Sequence, residues 1–116
     1  MIKLKRVYAA PDAQDGTRVL VERLWPRGLD KQHARVDEWL KEIAPSTELR
    51  QWFAHDTAKW TEFQTRYKAE LAEKSALIAQ LNQMTRKGVV TLVFAAKDEQ
   101  HNSAIVLKRY LEHHPA

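Results

Sequence analysis

The chain has 116 residues, of which 44% are apolar and 29% charged, with a formal net charge of +4 and no cysteine. That length suits one domain around one core. The missing cysteine excludes disulfides, thiolate nucleophiles and cysteine-bound metals, and no apolar run approaches the length of a membrane span. The opening MIKLKRVYAA has no stretch of signal-peptide length, so a cytoplasmic protein is expected. Charge is uneven. Residues 1–35 carry eight Lys/Arg against four Asp/Glu, while residues 36–116 carry eleven of each. A basic first third fits either an anionic partner, nucleic acid included, or a solvated surface.

From Ile2 to Tyr8 the pattern alternates, with Ile2, Leu4 and Tyr8 set against Lys3 and Lys5, as in a half-exposed strand. Pro11, Asp12, Asp15 and Gly16 mark a loop. It is too short for a helical crossover between neighbouring parallel strands. The strands on either side are therefore an antiparallel hairpin, or parallel and not adjacent. Thr17 to Leu24 predicts a second strand, with Val19 and Val21 on one face and Leu20 and Leu24 on the other. Glu22 and Arg23 near its end need partners if they are buried. Trp25-Pro26-Arg27-Gly28 suits a type I turn.

Val36 to Ile43 fits a short helix or a strand. Ser46 reads as the N-cap of a helix over Thr47 to Ala54, with Glu48 in its first turn. Asp56 reads as a second cap. Trp60, Phe63, Tyr67 and Leu71 then recur at helical spacing, and Leu77, Leu81 and Met84 extend the pattern after a break near Ser75. Gly88 ends it. Val89 to Ala96 is a near-continuous apolar run, broken only by Thr91, which predicts a central strand buried on both faces. A last helix is expected from Glu99 to His113, its inward stripe being Ala104, Leu107, Tyr110 and Leu111. The expected architecture is α/β: residues 1–116 as a single domain with a small, mainly parallel sheet flanked by helices.

The stretches RVLVERLWPRGL, APSTELRQWFAH and VTLVFAAKDEQHNSAIVL resemble the YeaO-like family, part of domain of unknown function 488. The resemblance runs from about Lys5 to Leu111. It implies a compact α/β domain without an established activity, and it favours a strand over Val36 to Ile43. More distant relatives carry a cysteine at the end of the last strand and a Cys-His-Arg run where the last helix begins. Here those places read Phe94-Ala95-Ala96 and His101-Asn102-Ser103, so a thiol mechanism does not carry over.

In a strand-then-helix unit, ligands sit beyond the carboxyl end of the strand. His101 is expected there, facing inward, with Asp98 capping the helix or orienting the imidazole. The two are the candidate acid–base pair. Arg23, Arg27 and Arg50 are the candidate anion ligands, because guanidinium forks match carboxylate and phosphate oxygens. Asn102 is a candidate hydrogen-bond donor and Trp25 a stacking platform. The structural alternative pairs Arg23 with Glu22 or Asp37 and leaves the imidazole bonded inside the fold. His55, Asp98 and His101 could in principle hold a divalent ion, but their spacing has no specificity and no metal is assigned. No Walker loop, dinucleotide fingerprint or nucleophile elbow occurs. The residues thus point to a small-molecule-binding domain or enzyme for a phosphate- or carboxylate-bearing ligand. A nucleic-acid-associated module and a protein-interaction domain are the alternatives. Cofactor, reaction and oligomeric state are not legible.

Overall fold

A computed structural model describes residues 1–114. Four strands form one sheet in the order β1 (Ile2–Arg6), β4 (Val90–Phe94), β2 (Thr17–Leu20), β3 (Glu38–Trp39), every pair parallel. The β4 strand is central, and all five of its residues are buried. Its alternating side chains feed two clusters. Val90, Leu92 and Phe94 join the larger one, while Val93 joins a smaller one on the opposite face. Helices α2 (Thr47–Phe53), α3 (Trp60–Ala72), α4 (Ser75–Lys87) and α5 (Ser103–His113) supply the larger cluster. The smaller cluster is closed by Trp25, Leu29, Val36 and Trp39 around the one-turn helix α1 (Lys31–Ala34). No described helix is long and apolar enough to cross a membrane.

The β1–β2 question resolves as parallel and not adjacent, because β4 lies between them. Their short connection holds only a one-turn 3-10 helix, Ala13–Asp15. Asp15 is buried, and it bonds to three of the four strands. Its carboxylate accepts from Lys5 Nζ of β1 at 3.0 Å and from Arg18 Nη1 of β2 at 2.7 Å. Its carbonyl accepts from Thr91 Oγ1 of β4 at 2.7 Å. Arg18 is itself buried, and its guanidinium also donates to the Ala34 and Arg35 carbonyls. That burial is invisible to a pattern reading, which places a charge on a solvent face. Next along the chain, Gly16 has φ +64, and a Cβ built there would stand 2.2 Å from the Val89 carbonyl oxygen. That oxygen accepts the Thr17 N–H, which aligns β2 on β4.

Four expectations change. The second strand stops at Leu20 rather than Leu24, and Leu24 is 67% exposed. Past Val21 the chain leaves the sheet because Glu22 and Arg23 find partners elsewhere. The turn after Trp25 centres on Arg27 and Gly28, with Gly28 at φ +76. A positive φ at the third position fits type II, not type I. Val36 to Ile43 gives only the two-residue β3, then a 3-10 turn over Lys41–Ile43. Its pairing is limited to Val19 with Glu38 and Leu20 with Trp39. The last helix begins at Ser103, not Glu99, because Asp98 holds the Gln100 and His101 N–H groups in a turn and Asn102 is the true N-cap. The Ser46 cap on α2 and the Asp56 cap on the turn that leads into α3 are as expected.

Two outcomes are expected for this crossing. Gly16→Ala forces a left-handed residue against a carbonyl and should cost more than about 2 kcal/mol in urea unfolding. Asp15→Asn leaves the buried Arg18 charge without a counter-charge and should cost about 3 kcal/mol at neutral pH. Burial alone would raise the Asp15 pKa, but the bonds from Lys5, the Asp12 backbone and Arg18 outweigh it and hold the group below its usual value. Its contribution is therefore full above the unfolded-chain value and fades as pH falls through the folded one. The gap between wild type and Asp15→Asn should narrow in acid. A gap that is constant with pH would contradict this.

Candidate functional site

Beyond the carboxyl ends of β2 and β4 lies a cleft of about 580 Å³. One wall is the Ala95–Ser103 segment that follows β4. The facing wall comes from α2 and the residues after it, Arg50, Phe53 and His55, with Phe63 of α3. Ala44 and Pro45 close one side, and Glu22 enters from the end of β2.

Each side chain is placed by a local device. Asp98 Oδ1 accepts the Gln100 and His101 N–H groups, and Oδ2 meets His101 Nδ1 at 2.9 Å. The Gln100 N–H lowers the Asp98 carboxyl pKa most; desolvation opposes it, and the His101 contacts add to the lowering, so the group lies below its usual value. The ionised carboxylate favours the proton on Nδ1, which leaves Nε2 of the half-buried imidazole as its other face. The His101 ring also packs edge-on against Trp60, with centroids 5.3 Å apart. Asn102 is buried with both amide ends engaged. Oδ1 accepts from Ile105 N, and Nδ2 donates to the Asp98 carbonyl. It shapes the wall and caps the helix. His55 reaches the cleft because the chain leaves α2 through two left-handed residues, Ala54 at φ 45 and His55 at φ 58. Ala54 is the left-handed C-cap of α2, its N–H donating to the Arg50 carbonyl.

The cleft brings together His101, Asp98, Asn102 and Arg50 among the sequence candidates. It does not bring in the other three, so the expected convergence of three arginines is corrected to one. Arg23 stands behind the wall. It donates to the Ala44 and Pro45 carbonyls and lies 3.6 Å from Glu42, so it pairs with neither Glu22 nor Asp37. Main-chain carbonyls outcompeted the acids because the chain after β3 passes directly beside the end of β2. Arg27 is exposed on its turn, where its carbonyl accepts from Tyr8 Oη. Trp25 lies in the smaller cluster, edge-on to Trp39 and donating to the Leu29 carbonyl. Trp52 is held between the cations of Lys59 and Arg66. His55, Asp98 and His101 share the cleft, yet among the described residues no three such side chains are grouped closely enough to hold a metal ion.

Glu22 is the residue that sequence reasoning undervalued. Its signal was a charge at the end of a buried strand. It is half-buried, and its Oε2 accepts the Ala95 N–H at 3.0 Å. Burial pushes its carboxyl pKa up, and the Ala95 bond and the charges of Arg50 and His55 only partly pull it back. Much of the basic first third, by contrast, is already engaged within the fold. Lys3 donates to Gln14, Lys5 to Ala10 and Asp15, Arg6 to Ala95 and Ala96, Arg18 to Asp15 and Ala34, and Arg23 to Ala44 and Pro45.

Comparison with known proteins finds relatives without assigned activities. The uncharacterized protein YeaO of Escherichia coli (strain K12) is 43% identical over 110 residues, which cover 95% of this chain and 96% of that protein. An uncharacterized protein of Mycobacterium tuberculosis (strain ATCC 25618 / H37Rv) is 43% identical over 110 residues, covering 95% of this chain and 92% of the relative. No solved structure matches significantly. The family DUF488-N3i, described as the inactive DUF488-N3 subclade, matches residues 1–116. With that match and the likeness to YeaO, the chain belongs to the YeaO-like DUF488 family.

Proposed function

We propose that this domain binds a small carboxylate- or phosphate-bearing molecule in the cleft and does not turn it over. The observation that carries the reading is Arg50. It lines the cleft with an exposed side chain, and among the described residues it makes no ion pair, so it is open to a ligand. His55, Lys97 and His101 border the same space. A guanidinium facing a cavity offers a carboxylate or phosphate two parallel hydrogen bonds. Phe53, Phe63, Ala95, Ala96 and Pro45 give an apolar body something to rest on, as ligand sites commonly do. In this reading His101, oriented by Asp98, is a hydrogen-bonding partner for the ligand.

Binding without chemistry is favoured over an enzyme for two reasons. The stretch Phe94-Ala95-Ala96 has no cysteine where the resemblance to more distant relatives would put one, and the matching family is described as inactive. A nucleic-acid module is disfavoured because so many of the basic residues in the first third are bonded within the fold.

Calorimetric titration with hydrocinnamate and with phenyl phosphate tests this. Binding of at least one is expected, and Arg50→Gln should weaken it about tenfold, the loss of one charge-assisted pair, with little change in melting temperature. Equal binding by the variant would remove Arg50 from the site. Binding of single-stranded DNA at low salt that falls steeply as salt rises, with no response to either small anion, would favour the nucleic-acid alternative.

A further inference from the structure

Glu22 is held from two sides. Trp39 Nε1 donates to its carbonyl at 2.6 Å, and the Ala95 N–H donates to its carboxylate at 3.0 Å. Among the described residues it makes no ion pair, although its neighbour Arg23 does. Taking a carboxylate partly out of water costs free energy unless donors replace the lost hydration. The fold supplies one N–H, while a carboxylate has about four acceptor sites. A neutral acceptor could satisfy the Ala95 N–H without bringing a charge into the cleft wall. The charges of Arg50 and His55 act on Glu22, yet neither reaches it as an ion pair. A carboxyl group and a guanidinium are thus kept apart in one cavity.

We propose that the ligand is amphoteric: its anionic group meets Arg50, an ammonium or other N–H donor meets Glu22, and an apolar body lies against Phe53 and Phe63. This rests on the anion-binding reading above and narrows it. A purely anionic ligand on Arg50 would bring like charge towards Glu22, and a purely cationic one would bring like charge towards Arg50. A molecule carrying both groups would pair with the carboxylate on one wall and the guanidinium on the other. Phe53 and Phe63 belong to the core, stacked with centroids 4.3 Å apart, and both line the cleft, so an apolar body entering it would meet that edge of the core. A cleft of about 580 Å³ has room for a ligand the size of an aromatic amino acid.

Three probes share one ring and differ in charge: L-phenylalanine carries both groups, hydrocinnamate only the acid and phenethylamine only the amine. On wild-type protein near neutral pH, L-phenylalanine should bind at least about tenfold tighter than either of the others by calorimetry. In Glu22→Gln its advantage over hydrocinnamate should shrink to about threefold or less, while hydrocinnamate binds as well as before or better. If hydrocinnamate matches L-phenylalanine on the wild type, the amphoteric proposal is overturned and the anion-binding reading stands. If none of the three binds, the amphoteric proposal is overturned, and the anion-binding reading falls with it if phenyl phosphate fails as well. The wild-type comparison needs no variant, so it decides even if Glu22→Gln fails to fold.

Discussion

The fold depends on how a short connection crosses the start of its central strand. The β1 and β2 strands run parallel with β4 between them, and the chain joining them has only one 3-10 turn to do it. Parallel neighbours are usually joined by a helix lying on the sheet. Here Asp15 does the holding. One buried carboxylate takes Lys5 from one strand and Arg18 from the next, and its own carbonyl takes Thr91 from the strand between. The geometry leaves no slack at the adjoining position, where Gly16 passes within touching distance of the Val89 carbonyl. Burying charge is worthwhile only when the partners are this complete. Arg18 meets that condition by adding main-chain carbonyls to its carboxylate partner.

That alignment brings the carboxyl ends of β2 and β4 side by side, and the cleft follows from it. Beyond Val21 and Phe94 the two backbones part. The Glu22 side chain spans the gap by taking the Ala95 N–H. Arg23 turns the other way and fastens the Ala44–Pro45 wall. Neighbouring residues of opposite charge thus do different work: one faces the cavity and the other props its side. The far wall depends on helix ends. Ser46 caps α2, and two left-handed residues after that helix bring the exposed His55 to the cleft. Asn102 caps α5, and the Asp98 turn before it presents His101. The cleft is built from chain ends and caps on a rigid sheet, where binding residues commonly sit.

Much of this was legible in the residues. The β4 strand announced itself because a run buried on both faces needs no alternation, and only a central strand is buried that way. Ser46 and Asp56 were readable as caps because the apolar spacing that follows leaves few other places for a helix to start. The connection from Pro11 to Gly16 was too short for a helical crossover, which narrowed the topology to two choices. The place of the cleft, beyond the carboxyl end of β4, was the one expected from that strand. What was not legible concerns partners supplied by main chain. Arg23 and Arg18 bond chiefly to carbonyls, which every residue has and no pattern marks. The start of α5 was missed because Asp98 and Asn102 are both good capping residues, and only the fold decides between them. Trp25 looked adjacent to polar motifs in sequence, yet it closes the cluster on the far face of the sheet.

The central claim is that the cleft between Arg50 and the Ala95–Ser103 segment is where a small anion binds. A crystal structure with para-bromohydrocinnamate tests it most directly, because anomalous scattering locates the bromine without reference to any expected pose. The bromine is expected beside Phe53 and Phe63, with the carboxylate on the Arg50 guanidinium and His101 within hydrogen-bonding distance. A bromine peak on another surface, or a cleft filled only by solvent at saturating probe, would contradict the claim.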